Sequence, residues 1–472
     1  PVPGFHTCGG ALCVIQGTSY AAPHVAAAAA LIMQASPGLT PAQVVQLLLA
    51  STDDIGMPGV DAQTGHGQLN IAKAFLPLGP LSAPVSGVGG EIAPGAPIGV
   101  VGAAFGDAFA RPNAWSAVAF DSLGRTFAVS LAPSWLRAGD ADPAAAAAPL
   151  LWRSRDEGGI AASFALAEAP PPAGARMLGE TPQTAFRAEK KLGGGRAIAF
   201  ARGVPAQAED ALAAAPGLLE FAGYDAGAAL TQQLAGGARL SLVTQSGAEA
   251  IGDARIGADW GEARRRATSM RLDLVRGPFT FGGALGAGWE EGAVLGLSWN
   301  DRWGGQPRAG AQFAALSGAW RFARDWEAGF EAEAGVVRMG GGGWMSLAQD
   351  VTTSAGALAL RWRTLPIAVA RAAPDSVGYF TLSLAQPLRV ESGAFSVLTA
   401  TADEWGRQSL AYERRAIAAA PTGREIDATL SYALWAGDRL AARAAASYRS
   451  DPGHAAAAPP ETAFTFGLRY GF

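Results

Sequence analysis

Apolar and polar residues alternate over much of the chain between Gly159 and Phe472. A period of two is typical of a β-strand with one apolar and one polar face. Such segments recur about ten to fourteen times, each near the ~9–11 residues that a tilted strand needs to cross a bilayer. This region therefore predicts an antiparallel sheet of many strands. Its clearest segment is the last, with apolar residues at Phe464, Phe466, Leu468, Tyr470 and Phe472.

The chain up to about Phe75 follows a helical pattern instead. The run from Ala21 to Ala35 is rich in alanine, lacks glycine and carries almost no charge, which predicts a buried helix. Pro23 falls early in this run, where a first helical turn tolerates proline. A second helix is predicted after Thr40 as N-cap and Pro41 at the first helical position.

A region rich in proline, glycine and alanine separates the helices from the alternating segments. We expect it to act as a connector, although Ala117 to Leu131 has the pattern of two short strands around a turn. The predicted domains are therefore residues 1–78, 79–158 and 159–472.

Alternation alone fits two kinds of sheet. A soluble barrel or sandwich would turn its apolar face inward, whereas a membrane barrel turns it towards lipid. The polar faces mix charges of both signs with Gly, Ser and Thr, and aromatic residues recur near predicted strand ends, as in an interfacial girdle. The chain also ends on Phe472 within a strong strand, which would be an exposed edge unless a barrel closed it. These features favour the membrane barrel.

The composition excludes several functions. The 472 residues carry a formal charge of −4 and only 16% are charged, which argues against nucleic acid as a partner. The longest uninterrupted apolar run, Val25 to Met33, is too short for a spanning helix. Asp53, Asp54 and Asp61 lack the spacing of a calcium loop, and we interpret them as solvated loop carboxylates. No metal or other cofactor is expected.

Cys8 and Cys13 are the two cysteines of the chain. We expect a short surface disulfide in an oxidising compartment, with free thiols as the alternative. The sequence begins Pro-Val-Pro, without an initiator methionine or a signal segment. We therefore expect either a processed protein or a fragment that lacks its N-terminal part.

Three short segments resemble the translocator region of Gram-negative autotransporters, which use type V secretion. They are the pre-barrel stretch Phe120 to Phe127, the segment Gln386 to Val390, and the terminal aromatic Phe472. The resemblance implies a twelve-stranded outer-membrane barrel that carries an N-terminal passenger to the cell surface. Outer-membrane lipid and the barrel-assembly machinery would be its partners, and the protein would be a monomer.

The sequence Gly17-Thr18-Ser19-Tyr20-Ala21-Ala22-Pro23-His24-Val25-Ala26 resembles the nucleophile motif of subtilisin-like serine peptidases. A serine at a helix N-terminus lies where backbone N–H groups and the helix dipole favour a developing oxyanion. The resemblance implies that Ser19 is the catalytic nucleophile and that Gly17, Thr18, Pro23 and His24 are motif residues. It continues to Gly65–Asn70, which resembles the closing turn of the family.

Serine needs a positioned histidine, an acid and an oxyanion donor. In this family the Asp, the His and the oxyanion Asn all precede the Ser, yet the 18 residues before Ser19 contain neither Asp nor Asn. His6 lacks the family's surroundings, and His24 matches a structural histidine. His66 lies in the closing turn and His454 in a predicted barrel loop, and neither is assigned as the base. We therefore expect the chain to be inactive by itself.

The sequence thus predicts a multidomain chain: the C-terminal part of an α/β subtilisin-like domain, a connector, and an antiparallel transmembrane β-barrel of about 12 strands. The predicted function is a serine endopeptidase that acts on proteins or peptides and is delivered to the cell surface from the Gram-negative outer membrane. The alternative is a non-enzymatic outer-membrane translocator with a decayed peptidase remnant.

Overall fold

The computed structural model describes most of the chain, in segments. They are residues 17–84, 91–92, 96–111, 115–137, 153–157, 160–167, 183–202, 226–253, 258–300, 305–340, 343–364, 376–402, 410–436 and 440–470. Two compact units are distinguished: one comprises 1–96, 116–131 and 398–413, and the other comprises 97–115, 132–397 and 414–472. Each is described by itself below.

Three helices open the described chain: α1 (Thr18–Ala35), α2 (Pro41–Ala50) and α3 (Ile71–Ala74). The predicted start of α2 is confirmed. The Thr40 side chain accepts a hydrogen bond from the Gln43 N–H at 3.3 Å, and Gln43 Oε1 accepts one from the Thr40 N–H at 2.9 Å, which forms a capping box. Asn70 caps α3 in a similar way, since its Oδ1 accepts the Lys73 N–H at 3.0 Å.

The core of the N-terminal region is small. Its fully buried side chains include Ile32 from α1 and Val44 and Leu47 from α2, all 1–2% exposed. The prediction that α1 is a buried helix is wrong for the described residues, because only Ala28 and Ile32 of α1 are buried. These two residues are one turn apart on the single face that contacts α2, whereas Tyr20, Val25, Leu31 and Met33 are exposed.

Six short strands follow: β1 (Ala83–Pro84), β2 (Glu91–Ile92), β3 (Gly99–Val101), β4 (Ser116–Phe120), β5 (Thr126–Ser130) and β6 (Trp135–Arg137). Strands β4 and β5 form the hairpin that the pattern of Ala117 to Leu131 predicts. Strand β3 pairs parallel with β6.

A buried ion pair joins the β4–β5 hairpin to the chain after α3. Asp121 and Arg125 approach to 2.7 Å, and both side chains are at most 5% exposed. Arg125 donates to the carbonyls of Ala74 and Leu76 at 2.7 Å, while Asp121 accepts the N–H of Leu78 at 3.0 Å. These bonds satisfy the carbonyls beyond the end of α3 and hold the hairpin against it.

The remaining strands, except β15, belong to one antiparallel sheet. They are β7 (Arg153–Glu157), β8 (Ile160–Ala167), β9 (Gln183–Gly193), β10 (Arg196–Arg202), β11 (Ala226–Gln233), β12 (Ala238–Asp253), β13 (Ala258–Arg276), β14 (Phe279–Glu291), β15 (Ser298–Trp299), β16 (Arg308–Ala323), β17 (Trp326–Gly340), β18 (Met345–Arg363), β19 (Val377–Ala402), β20 (Leu410–Ala418), β21 (Ile426–Ala436), β22 (Leu440–Ser450) and β23 (Glu461–Tyr470).

The sheet is a meander in which each strand pairs with the next from β7 to β23. Strand β15 lies outside it and pairs with β3, and β20 pairs only with β19. The sheet has 16 described strands, against the twelve that the resemblance implies. Part of the difference comes from β19, which is 26 residues long and pairs with both β20 and β21.

The two ends of the sheet differ in their connections. Turns of two residues join β9 to β10, β13 to β14 and β16 to β17 at one edge, which we call the short-turn end. Much longer stretches join β10 to β11 and β14 to β16 at the opposite edge, the long-loop end. Two connections depart from this division: residues 364–376 join β18 to β19 at the short-turn end, and residues 254–257 join β12 to β13 at the long-loop end. Strand β23 runs towards the short-turn end.

Burial in the sheet is the reverse of that in a soluble protein. On β13 the polar residues Ser269 and Asp273 are 2–3% exposed, whereas Met270 and Leu272 are 52% and 42% exposed. Strand β23 repeats this pattern, because Phe464 and Phe466 are 85% and 71% exposed. Contiguous apolar surface of this extent is rare on soluble monomers. The alternation therefore separates an apolar outward face from a polar covered face.

Aromatic rings form a continuous outward band near the short-turn end. Successive centroids along this band lie 4.5–6.3 Å apart. It comprises Phe279, Trp320, Phe322, Trp326, Trp362, Phe380 and Tyr432. Of the tryptophans expected near strand ends, Trp299 lies elsewhere: it is fully buried and donates to the Gly305 carbonyl at 2.9 Å.

A segment that precedes the sheet packs against its long-loop end. Phe105 and Phe109 contact the Phe395 ring at 5.7 and 5.4 Å, and Trp115 and Trp135 contact Trp344. All of these rings are buried. The residues predicted as a connector, 79–158, are thus divided, since 116–131 belong with the N-terminal unit and 97–115 with the sheet.

None of the described helices is long and apolar enough to cross a membrane.

Candidate active-site serine

Ser19 lies in the first turn of α1, and its side chain is exposed. The turn is closed by the Gly17 carbonyl, which accepts the N–H of Tyr20 at 3.0 Å and the N–H of Ala21 at 3.3 Å. The positive end of the helix dipole therefore points towards the hydroxyl, where it would stabilise negative charge on a bound carbonyl oxygen. The Ser19 hydroxyl is therefore accessible at the N-terminal end of the helix.

Gly17 leaves space beside this hydroxyl. A Cβ atom at residue 17 would lie 3.6 Å from Ser19 Oγ and 3.4 Å from Tyr20 Cδ2. The φ of Gly17 is 161°, an extended value that any residue adopts. Neither the space around residue 17 nor its backbone conformation therefore requires glycine within the described residues.

Pro23 lies in the second turn of α1, not the first, because the helix begins at Thr18 and not at Ala21. Proline has no N–H to donate to the carbonyl four residues earlier, which here belongs to Ser19. Thr18 is the first residue of the helix and follows the N-cap residue Gly17.

His24 is held by the backbone of its own helix. Its Nδ1 lies 2.8 Å from the Tyr20 carbonyl oxygen, one turn back, so that Nδ1–H donates to it. The ring is exposed, and the contact fixes it to Tyr20.

The segment that resembles the closing turn of subtilases is tightly built. A Cβ atom at Gly67 would lie 2.2 Å from the Asp53 carbonyl oxygen, and its φ is +109°, so both space and conformation require glycine. Asn70 Nδ2 donates to Asp53 at 2.8 Å, and Lys73 forms an ion pair with the same carboxylate. Hydrogen bonds from Lys73 and Asn70 lower the pKa of Asp53.

The carboxylates considered for calcium close local turns. Asp61 accepts the N–H groups of Gln63 and Thr64 at 2.7 Å as well as the Thr64 hydroxyl, which lowers its pKa to about 2. Asp54 accepts the Gly59 N–H at 2.7 Å. Within the part of the chain that is described, no three His, Cys, Asp or Glu residues group as metal ligands would.

Cys8, Cys13 and His6 lie outside the described residues, so the predicted disulfide stays a prediction. The roles of Ser19, Gly17, Thr18, Pro23 and His24 also stay predictions.

The sequence pattern gave no sign of one buried histidine. His454 follows β22, is 1% exposed and has a φ of +54°. Its Nδ1 accepts the Glu425 N–H at 3.0 Å, and its Nε2 lies 3.1 Å from the Leu388 carbonyl oxygen. Burial lowers the pKa of His454 to about 4, so the ring is neutral and structural.

Comparison with known proteins identifies the N-terminal region. Residues 3–67 match the sequence profile of the Subtilase family. The resemblance of the Ser19 motif to subtilisin-like peptidases is therefore confirmed.

Three curated relatives match the same region. The chain is 42% identical to Mycosin-1 of Mycobacterium tuberculosis over 73 residues, which is 15% of this chain and 16% of that protein. It is 38% identical to an extracellular serine protease of Serratia marcescens over 59 residues, 12% of this chain and 6% of that protein. It is 41% identical to the Neisserial autotransporter lipoprotein NalP of Neisseria meningitidis over 70 residues, 15% of this chain and 6% of that protein. The chain thus aligns with a small part of each relative.

Among solved structures, the outer-membrane expressed OmpT of Vibrio cholerae aligns with 67% of this chain and 99% of its own, at a TM-score of 0.35 and 9% identity. A score this low does not establish a shared fold. The description of the sheet therefore depends on its own strand pairing and burial.

Proposed function

We propose that this chain carries the C-terminal part of a subtilisin-like serine endopeptidase, joined to an outer-membrane β-barrel that delivers it to the cell surface by type V secretion. One observation carries the proposal: a subtilase segment with an exposed motif serine and a sheet with an apolar outward face occur in one polypeptide. NalP, one of the relatives, is itself named an autotransporter.

The outward face supports a membrane location. On β17 the outward apolar residues run from Trp326 to Val336, a rise of about 33 Å along the strand, or about 25 Å across the bilayer at a usual tilt. The aromatic band lies at one border of this surface, where an interfacial girdle is expected. The chain would close into a barrel in the Gram-negative outer membrane, inserted by the barrel-assembly machinery as a monomer.

The connections of the sheet support an orientation. Bacterial outer-membrane barrels have short periplasmic turns and longer extracellular loops. Residues 97–111 pack at the long-loop end: Asp107 Oδ1 accepts the Thr422 N–H at 2.7 Å, and Arg111 donates to the Ala420 carbonyl at 2.8 Å. This packing supports an orientation in which the chain that leads to the sheet is on the extracellular side, where a passenger would act on protein or peptide substrates.

The chemistry assigned to Ser19 is acyl transfer. Its Oγ would attack the scissile carbonyl, and the N-terminus of α1 would favour the oxyanion. A general-base histidine, its acid partner and the oxyanion asparagine are not matched by motif in this sequence. Residues 1–472 alone are therefore expected to be inactive.

The membrane part of the proposal is tested by gel mobility after refolding of the full chain into detergent micelles. A closed barrel resists SDS until it is boiled, so boiled and unboiled samples should migrate differently. A water-soluble chain with the same mobility in both samples would contradict the barrel.

The peptidase part is tested with an active-serine probe on residues 1–472, with Ser19→Ala as the control. We expect no labelling of either protein, because no positioned base activates Ser19. Labelling of the wild-type chain but not of Ser19→Ala would show that the chain is active alone. Addition of a separately produced subtilase segment bearing Asp and His should restore labelling, whereas a decayed remnant would stay unlabelled.

A further inference from the structure

A group of arginines lies on the outward face of the sheet near its long-loop end. Cross-strand pairing aligns Arg266, Trp289, Gly310 and Arg338 in one row across β13, β14, β16 and β17. The next row outward aligns Arg264, Glu291 and Arg308. We call this surface the arginine patch; its members are Arg264, Arg266, Trp289, Arg308, Gly310 and Arg338.

The patch shares its face with the apolar surface. Along β13 the outward residues pass from Leu272 and Met270 through Thr268 to Arg266 and Arg264, whereas Arg265 between them is 5% exposed. Along β17 they pass from Phe330 to Arg338, and Val337 is 1% exposed. The arginines therefore continue the apolar surface outward, at the depth of lipid headgroups if that surface contacts acyl chains.

The row is shaped to admit a ligand. A side chain built on Gly310 would meet nothing within 4 Å, so the surface between Trp289 and Arg338 is open. Trp289 is 56% exposed and lies between Gly310 and Arg266 in the row. Arg266 and Arg338 stand three strand spacings apart, about 14 Å. Two guanidinium groups at this separation suit a headgroup with two phosphates.

Carboxylates form ion pairs with three of the arginines, but these arginine side chains stay exposed. Arg264 bonds Glu262 at 3.0 Å, Arg308 bonds Glu291 at 2.9 Å and Arg338 bonds Asp350 at 2.9 Å. The three arginine side chains remain 64–74% exposed in these pairs. Each guanidinium has five N–H donors, so the pairs leave donors for a phosphate. Within the described residues no carboxylate forms an ion pair with Arg266.

The opposite border of the apolar surface is built differently. The aromatic band lies there, and Arg276 and Arg321 are the exposed arginines nearest to it on β13 and β16. Aromatic rings suit the interface of an ordinary phospholipid leaflet, whereas clustered guanidinium groups suit anionic headgroups. The two borders thus point to leaflets of different chemistry.

The geometry points to the arginine patch as a binding site for a glycolipid whose headgroup carries two phosphates, located in the outer leaflet around the long-loop end. This inference rests on the proposed membrane barrel. The acyl chains would cover the outward leucines, the phosphates would pair with Arg266 and Arg338, and a sugar ring would lie against Trp289 over Gly310.

The test uses the full chain refolded in zwitterionic micelles, with folding first verified by heat-dependent gel mobility. A diphosphorylated glucosamine lipid is added, and the midpoint of thermal unfolding is compared with that in its dephosphorylated form and in inorganic phosphate. We expect the diphosphorylated lipid alone to raise the midpoint. The double variant Arg266→Gln/Arg338→Gln should weaken the apparent affinity about tenfold or more.

The matched control is Arg276→Gln/Arg321→Gln, which removes two exposed arginines at the short-turn end. It should respond to the lipid as the wild type does. An equal response to the dephosphorylated lipid, an equal loss in both double variants, or an equal response to inorganic phosphate would each overturn the site. A chain that never shows heat-dependent mobility would contradict the proposed barrel instead, and the site with it.

Discussion

The N-terminal unit and the large sheet bury opposite kinds of residue. In the helices, Ile32 and Leu47 are 1–2% exposed and the capping residues Thr40 and Gln43 face solvent or are half-buried. In the sheet, Ser269 is 2% exposed and Met270 beside it is 52% exposed. The hydrophobic effect removes apolar surface from water in both regions, so the outward face of the sheet suits an apolar surrounding.

Polar groups inside the two regions are arranged differently as well. Among its described residues, the N-terminal unit buries the compact ion pair of Asp121 with Arg125. The covered face of the sheet instead carries a distributed network in which Arg239 and Arg271 both bond Asp273, and Arg271 also donates to Ser317. Three substitutions and one change of pH test these differences between the two regions.

The largest effect is expected at the buried ion pair. Arg125→Met leaves the Asp121 carboxylate buried without its cation and should destabilise the N-terminal unit by about 3–5 kcal/mol. Pulse proteolysis over a urea series would measure the loss, read from cleavage within the β4–β5 hairpin. Lys73→Met, which breaks a solvent-exposed pair with Asp53, is the control and should leave the stability almost unchanged. Equal losses would show that the buried pair has no special role.

The outward face gives the next effect. Leu316 is 64% exposed midway along β16, and Leu316→Arg should destabilise the sheet in vesicles by about 2–4 kcal/mol, because arginine is costly at the bilayer midplane. Val45 on α2 is 55% exposed, and Val45→Arg should change stability by less than about 0.5 kcal/mol. The change in stability of Leu316→Arg is measured by urea unfolding from vesicles, and that of Val45→Arg by pulse proteolysis. If Leu316→Arg does not lower the stability of the sheet, the outward face contacts water and not lipid.

A pH effect is expected at His454. Its pKa in the folded chain, about 4, is below the usual 6.5, so the unfolded chain binds the proton more readily. His454 therefore contributes stability above pH 6.5 that is lost as the pH falls towards 4, roughly 2 kcal/mol between about pH 7 and pH 5. Histidine NMR of the folded chain should show its titration below about pH 5. A pKa near 6.5 for His454 would contradict its burial. The variant His66→Asn removes a histidine at an exposed site and thereby identifies the His66 resonance, so that it is not mistaken for that of His454.

The smallest effect concerns the cap of α2. Thr40→Ala removes the hydroxyl that accepts the Gln43 N–H and should cost about 1 kcal/mol. Thr40→Ser keeps the acceptor and should remain near the wild type. Pulse proteolysis of the α1–α2 segment would separate the two, and equal stability of both variants would show that the cap is not needed.

Local patterns predicted much of this architecture. Thr40 and Pro41 marked the start of α2, and Ala117 to Leu131 marked the β4–β5 hairpin, because caps and turns depend on neighbouring residues. The alternation from Gly159 onward predicted an antiparallel sheet and which residues share a face. Strand number was harder to predict, since no local signal shows that β19 pairs with two different strands.

Contacts between distant residues could not be predicted in this way. The bonds from Arg125 to Ala74 and Leu76 span about fifty positions, and those from Asp107 to Thr422 span about three hundred. His454 looked like an ordinary loop histidine, and its burial follows from partners on β19 and near β21. The arginine patch depends on the register of four strands, which alternation alone does not specify.

The Ser19 motif, the Thr40 cap of α2 and the two-residue period of the strands can be read from the sequence alone, because each follows from the chemistry of adjacent side chains. The mixed charges and the aromatic residues near strand ends also favoured an outward apolar face. The packing of the pre-sheet segment at the long-loop end and the shared row of Arg266 and Arg338 come instead from the tertiary structure. These features depend on strand pairing and on loop closure over long stretches of chain, which no short window of residues contains.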